Sequence, residues 1–120
     1  EYEPLPGYKI NGKATLGENI ADLGGILLGL DAFKKTQQYK DGKTINGLTP
    51  VQRYFLGYAL GWLGHAREER LRNQLLVDVH SPAKYRVNGP MVDVDEFYSA
   101  FDIKPGDNTY RADSLRVRIW

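Results

Sequence analysis

The chain has 120 residues, 42% of them hydrophobic and 26% charged, and its 16 basic and 15 acidic side chains leave a formal net charge of +1. These values are those of one ordinary globular domain. Because no basic tract or polybasic amphipathic stretch is present, the sequence argues against a nucleic-acid partner and against membrane contact from this segment. The longest apolar run, from Leu23 to Leu30, includes three glycines and is too short to span a bilayer.

The first predicted elements are a short hairpin and a long helix. Asn11 and Gly12 lie between two short runs that can pair as strands, and this dipeptide is typical of a type I′ hairpin turn. The helix is expected from about Gly17 to Tyr39, and the Lys-Asp-Gly sequence at 40–42 ends it. Its residues are apolar or small almost all round, which is the pattern of a buried central helix.

Thr49, Pro50 and Gln52 mark the start of a second helix. They have the order of an N-cap, a first helical residue and a capping-box partner. The apolar face of this helix carries Tyr54, Phe55, Tyr58, Ala59 and Trp62. Such an aromatic set is more typical of a hydrophobic core than of a platform for a ligand.

Two shorter helices and an extended tail complete the chain. A mixed-charge helix, solvated on its charged side, is predicted through residues 67–72. Asp93 with Glu96 is expected to cap a short helix that reaches Phe101, and residues 104–107 form a turn before the extended tail. The predicted fold class is therefore mainly α, with at most a short N-terminal hairpin.

Residues 17–25 carry the strongest functional signal. Glu18 and Asp22 are four apart and lie on one helix face, which Gly25 and Gly29 continue. Each glycine costs roughly 0.5–1 kcal/mol relative to alanine inside a helix. We interpret the glycines as room for another element to approach, with the acids pointing into whatever that element brings. From spacing alone, the simpler interpretation is a tight helix crossing that begins with a solvated pair of acids.

Three blocks of sequence resemble one known family. Residues 11–25 resemble the third-ligand motif of the neprilysin and endothelin-converting-enzyme family of zinc metallopeptidases. Residues 78–89 resemble that family's downstream active-site segment, and residues 101–120 are similar to its extreme C-terminus. The blocks occur in the family's order and cover nearly the whole chain. The resemblance implies the helical C-terminal portion of a gluzincin-type zinc peptidase catalytic domain.

The sequence lacks the other half of that family's zinc site. The family's His-Glu-x-x-His helix supplies two imidazole ligands and the general base. Here the two histidines, His65 and His80, are fifteen residues apart and neither lies in that motif. The family's substrate-binding asparagine-aromatic segment is also missing. We therefore expect residues 1–120 to be the C-terminal part of the catalytic domain, with the N-terminal half of the same polypeptide as its partner.

The chain contains no cysteine. Animal members of the family carry disulfide-bonded cysteines near the positions held here by Leu63, Ile103 and Val117. Their replacement by aliphatic residues indicates a bacterial relative. The resemblance favours an extracytoplasmic compartment over the cytoplasm, although the absence of cysteine itself identifies neither.

Glu18 and Asp22 take zinc-site roles by this resemblance. Glu18 resembles the carboxylate that joins the two imidazoles as the third protein ligand of a hydrolytic zinc ion. Asp22 corresponds to the acid that accepts the N–H of a zinc-bound imidazole and fixes its tautomer. The alternative for Glu18 is a solvated acid at a helix start, and the alternative for Asp22 is a proton donor.

His80 and Arg86 match residues that contact the substrate in the family. His80 matches the histidine that donates a hydrogen bond to the oxyanion. Arg86 matches the arginine that binds a backbone carbonyl oxygen on the leaving-group side of the peptide. A turn-capping loop residue is the alternative for His80, and a surface salt bridge is the alternative for Arg86.

The sequence thus predicts a zinc-dependent endopeptidase that hydrolyses peptide substrates. The intact enzyme is expected to hold one zinc ion, which this chain alone does not retain tightly, so the isolated chain is expected to be inactive. The alternative is a non-catalytic helical interaction module or an inactive remnant. Retention of all four site residues together argues against decay.

Overall fold

Six α-helices and one 3₁₀ helix make up the regular structure of residues 2–120, the part of the chain that the computed structural model describes. They are α1 (Leu16–Lys34), α2 (Gln37–Lys40), α3 (Pro50–Gly61), α4 (Glu68–Val77), α5 (Ala83–Met91), α6 (Asp95–Phe101) and the 3₁₀ helix Asp113–Leu115. These residues contain no β-strand and only two isolated bridges, Leu5 with Tyr8 and Ile45 with Leu48. The mainly α prediction is confirmed. Between residues 2 and 120, none of the helices is both long enough and apolar enough to cross a membrane.

α1 is the central helix and packs against α5 and α3. Its Ile26 and Leu30 are 0% and 1% exposed, and they share the core with Phe55 of α3 and Met91 of α5. Complete burial of one such side chain contributes roughly 1.5–3 kcal/mol. The core therefore fixes α1 in place, and with it the acids on its first two turns.

The long first helix was predicted to reach Tyr39, but α1 ends at Lys34. Thr36 causes the break. It takes an extended conformation, its hydroxyl donates to the carbonyl of Phe33, and the same oxygen accepts from the backbone N–H of Tyr39. One side chain thus satisfies groups at the end of α1 and caps the start of α2.

The N-terminal hairpin prediction is wrong. A type I′ turn needs positive φ at both central residues, and neither Asn11 nor Gly12 has it. Instead, the Asn11 side-chain oxygen accepts from the backbone N–H groups of Lys13 and Ala14, each at 3.2 Å. The asparagine therefore forms a local turn that leads into α1.

One predicted cap is confirmed and another is wrong. Thr49 and Gln52 form the predicted capping box on α3. At α6 the N-cap is Val94, which makes no side-chain cap. The Asp93 carboxylate instead accepts from Arg111 Nη1 at 2.6 Å and from a backbone N–H of the C-terminal tail at 3.0 Å. Asp93 thus anchors the tail and does not start the helix.

Helix α5 has no counterpart among the predicted elements. Its last turn contains Gly89 and Pro90, which normally argue against a helix. Pro90 is tolerated because it lies one residue from the end of a nine-residue helix, where only one turn is affected. This helix matters for the site because it carries Arg86 and packs against α1.

The interpretation that glycines on α1 admit a close neighbour is confirmed at Gly29. A Cβ atom at Gly29 would lie 2.5 Å from the Tyr54 hydroxyl oxygen, which donates to the carbonyl of Ile26 at 2.7 Å. The Tyr54 ring is stacked on Phe33, so it has little freedom to move away. At Gly25 a Cβ atom would meet nothing within 4 Å.

The two glycines predict opposite effects of alanine on stability. Gly29→Ala should lower the free energy of unfolding by about 1–3 kcal/mol, because it forces Tyr54 out of its place. Gly25→Ala should raise it by roughly 0.5–1 kcal/mol through helix propensity alone. Urea unfolding of the two variants, followed by circular dichroism, measures both changes. Equal midpoints for the two variants would contradict the tight contact at Gly29.

Candidate active site

The four residues singled out by the sequence lie together in the structure. Glu18 and Asp22 lie on the first two turns of α1, His80 lies in the loop between α4 and α5, and Arg86 lies on α5. Glu18 Oε2 is 3.1 Å from His80 Nε2 and 3.4 Å from Arg86 Nη2. Packing of α5 on α1 therefore brings side chains that are more than 60 residues apart to one carboxylate.

Asp22 and Arg86 form the tightest pair of the site. Arg86 Nε donates to Asp22 Oδ2 and Arg86 Nη2 donates to Asp22 Oδ1, both at 2.7 Å. The two side chains are only 8% and 15% exposed. The hydrogen bonds that Arg86 donates to Asp22 raise the pKa of Arg86 above its ordinary value, against the opposing effect of burial. Such a planar, bidentate pair fixes the direction of the guanidinium.

Two aromatic residues, one in α3 and one at its C-cap, hold Arg86 from the other side. The centre of the guanidinium lies 4.3 Å from the centre of the Trp62 ring, within the range of a cation–π contact. The Tyr58 hydroxyl donates to the backbone carbonyl of Arg86 at 3.2 Å. Burial, and next the negative charge of Asp22, raise the pKa of this tyrosine. Part of the predicted aromatic core face therefore also supports the site.

His80 is oriented by Asp78, which the sequence analysis did not single out. Asp78 Oδ1 lies 2.7 Å from His80 Nδ1 and accepts from the His80 backbone N–H at 2.9 Å. These hydrogen bonds lower the pKa of Asp78. The Asp-x-His spacing was the available signal. With Nδ1 directed at Asp78, the other ring nitrogen of His80 points to Glu18.

Glu18 has the features of a carboxylate metal ligand. Its side chain is 39% exposed, and its hydrogen-bond and ion-pair contacts within residues 2–120 all fall on Oε2. Within residues 2–120, no cluster of three or more His, Cys, Asp or Glu side chains is placed to hold a metal ion. Asp22 directs both oxygens at Arg86 and His80 directs its nitrogens at carboxylates. Zinc thus fits these residues only at Glu18, as one ligand of a larger set.

The chain is similar to metallopeptidases in both sequence and structure. The neutral endopeptidase of Lactobacillus helveticus is 38% identical over 112 residues, covering 93% of this chain and 16% of that protein. Human neprilysin is 39% identical over 120 residues, covering 95% of this chain and 15% of that protein. The chain therefore spans about a sixth of the length of these relatives.

The fold matches that of a solved zinc metalloprotease, ZMP1 of Mycobacterium tuberculosis. The TM-score is 0.85 at 39% identity to its open state, covering 98% of this chain and 18% of that one. It is 0.87 at 38% identity to the inhibitor complex, covering 99% and 19%. The helical fold is thus the one predicted, that of a portion of a zinc metalloprotease.

Residues 1–117 match the sequence profile of Peptidase family M13, and the chain belongs to that family. The predicted kinship with neprilysin-like metallopeptidases is confirmed.

Proposed function

We propose that this chain is the C-terminal part of the catalytic domain of a zinc-dependent endopeptidase that hydrolyses peptide bonds in peptides. The N-terminal half of the same polypeptide would supply the remaining zinc ligands and the general base. The observation that carries the proposal is the convergence of four side chains, in which Glu18 contacts His80 and Arg86, and Arg86 also binds Asp22. Membership of Peptidase family M13 supports it.

Glu18 is proposed as a zinc ligand. It lies in the first turn of α1, its carboxylate is partly exposed, and the core holds its helix rigid. When bound in such a site, zinc polarises a carbonyl oxygen and makes water more acidic. Because the described residues offer one carboxylate, the other protein ligands must come from outside them.

Asp22 is proposed to orient a neighbouring imidazole and not to donate a proton. Each carboxylate oxygen has two lone pairs, so the two bonds from Arg86 leave acceptor capacity for an N–H group. Arg86 in turn fixes the plane of the carboxylate. A metal-bound imidazole is commonly oriented by an acceptor of this kind.

His80 and Arg86 are proposed to act on the substrate. His80 Nε2 would donate to the carbonyl oxygen as negative charge develops there, with Asp78 holding the ring. The bonds from Arg86 Nε and Nη2 to the acids leave Nη1 without a hydrogen-bond partner in residues 2–120. Those N–H groups could bind a backbone carbonyl oxygen of the peptide.

The surface around the site is proposed to meet the N-terminal half of the polypeptide. Gly25 on α1 is exposed, and Leu60 and Leu63, at and after the end of α3, are 67% and 82% exposed. Leu60 and Leu63 are sequence neighbours of Trp62, whose ring contacts Arg86, and large exposed apolar side chains beside a site are typical of surfaces that contact a partner. An extracytoplasmic location belongs to the same proposal. No feature of the chain favours a nucleic-acid partner.

Reconstitution tests the proposal. A full-length family M13 polypeptide carrying this chain should hold one zinc ion and cleave a fluorogenic peptide, and a chelator should abolish cleavage until zinc is restored. The isolated 120 residues should neither retain stoichiometric zinc nor cleave, since tight zinc sites need three or four positioned ligands. Calorimetric titration with zinc measures the first property. Tight one-to-one binding with hydrolysis by the isolated chain would contradict the proposal.

A further inference from the structure

A row of hydrogen bonds joins the start of α1 to the loop that carries His80. Ser81 Oγ donates to Asn19 Oδ1 at 2.9 Å, and Asn19 Nδ2 donates to Thr15 Oγ1 at 3.1 Å. Thr15 Oγ1 donates onward to the carbonyl of Asn11 at 3.1 Å. Because each hydroxyl has one proton to donate, the three bonds run in a single direction and fix the orientation of the Asn19 amide.

This row of hydrogen bonds lies directly beside two residues of the candidate site. Asn19 is the neighbour of Glu18 in α1, and Ser81 is the neighbour of His80, 62 residues later. Ser81 and Thr15 are each only 3% exposed, so water competes little for their bonds. Between residues 2 and 120, the Ser81–Asn19 bond is the one side-chain hydrogen bond from residues 78–82 to α1 apart from the contact of His80 itself.

Packing of α5 on α1 places the end of the loop near α1, and the remaining side-chain contacts of residues 78–82 add no further link to that helix. Asp78 lies in the same loop as His80, so the bond between them orients the ring without locating the loop. Gln74 Nε2 donates to the His80 carbonyl at 3.3 Å, but Gln74 belongs to α4. The Ser81–Asn19 bond, which is buried on the Ser81 side, therefore joins the loop and α1 directly.

We propose that Asn19 and Ser81 are positioning residues that hold His80 opposite Glu18. The kinetic consequence rests on the proposed peptidase function, whereas the geometric consequence does not. Catalytic donors must be held close to their productive geometry, and misplacement by about 1 Å can cost 10²-fold in rate. Neither Asn19 nor Ser81 is proposed to touch substrate, so both act through His80.

The kinetic test uses a full-length family M13 peptidase that carries this chain. Ser81→Ala should lower kcat by about 10–100-fold with little change in KM. Ser81→Thr keeps the hydroxyl that donates to Asn19 and should retain most of kcat. Asn19→Ala should match Ser81→Ala, and the double variant should be no worse than either, because both remove the same bond.

Tyr98→Phe is the matched control for the loss of a buried hydroxyl. Tyr98 donates to the carbonyl of Val92 at 2.8 Å and contacts none of the site residues. The Tyr98→Phe variant should have a lower free energy of unfolding and an unchanged kcat. If Ser81→Ala merely destabilised the protein, its kcat would behave like that of Tyr98→Phe, and the proposal would be overturned.

A structural test uses the full-length polypeptide with only this 120-residue segment isotope-labelled, and it is independent of activity. With ¹³C-labelled histidine, the His80 ring should show magnetisation transfer to the Glu18 side chain in the unsubstituted chain and in Ser81→Thr, and lose it in Ser81→Ala. His65 serves as the internal reference. Retention of the contact in Ser81→Ala, or its absence from the unsubstituted chain, would overturn the proposal. A full-length enzyme without zinc-dependent hydrolysis would refute the peptidase function, and this experiment would still decide the role of Ser81.

Discussion

Replacement of Glu18 by alanine is expected to abolish zinc retention and peptide hydrolysis together in a full-length family M13 peptidase that carries this chain. Glu18 is the zinc ligand that we propose, and between residues 2 and 120 no cluster of three or more possible ligands is placed to hold the ion without it. A metal ion of this kind contributes several kcal/mol to transition-state stabilisation, so kcat/KM should fall by about three orders of magnitude or more. Metal content per chain after dialysis, measured beside hydrolysis of a fluorogenic peptide, checks both.

Asp31→Ala provides the matched control for Glu18→Ala. Asp31 is an acid on the same helix, its side chain is 64% exposed, and its ion pair with Lys34 is loose at 3.8 Å. Its loss should leave zinc content and turnover unchanged, because exposed pairs contribute little. Full zinc occupancy in Glu18→Ala would remove Glu18 from the ligand set and restore the interpretation of a solvated helix-start acid.

Local chemistry made most of the helices predictable. The capping box at Thr49 specifies the start of α3 from four adjacent residues, and the structure has it as predicted. The same kind of local signal at Thr36 divides α1 from α2, and the sequence analysis missed it. Helix α5 is the opposite case. Its Gly89 and Pro90 argue against a helix locally, and packing on α1 outweighs that preference.

Asp93 shows how a tertiary contact can replace a local one. An aspartate three residues before Glu96 has the spacing of a cap, yet Arg111 and the C-terminal tail bind its carboxylate. An ion pair to a residue 18 positions away is not visible in a local pattern. The helix therefore starts without a side-chain cap at Val94.

The candidate site was predictable only in part from spacing. The separation of Glu18 and Asp22 places both on one face of α1 without further information. Their contacts with Arg86 span more than 60 residues, and only the family resemblance indicated them. Asp78 was missed because its role depends on the direction of one imidazole ring, which the three-dimensional structure shows.

Trp62 and the glycines illustrate the limits of pattern reading on helix faces. Trp62 lies on a face that predicts core packing, and the structure places its ring against the Arg86 guanidinium. Gly29 admits Tyr54 as the pattern suggests, whereas Gly25 has no close neighbour in residues 2–120. Sequence spacing identifies which residues share a helix face. The side chains that pack against that face from other helices decide the role of each residue.

Replacement of His80 by alanine is the second large effect that we expect. As a hydrogen-bond donor to negative charge that develops on the carbonyl oxygen, His80 should act mainly in the transition state. Its loss should lower kcat by about 10²–10³-fold and leave KM nearly unchanged. The His80 side chain is 42% exposed, so alanine leaves no buried cavity and the fold should persist. Steady-state kinetics in the full-length enzyme measure kcat and KM, and circular dichroism checks that the fold persists.

The control is His65→Ala, at the only other histidine of the chain, which should leave kcat and KM unchanged. Unchanged turnover in His80→Ala would instead support the interpretation of His80 as a turn-capping loop residue.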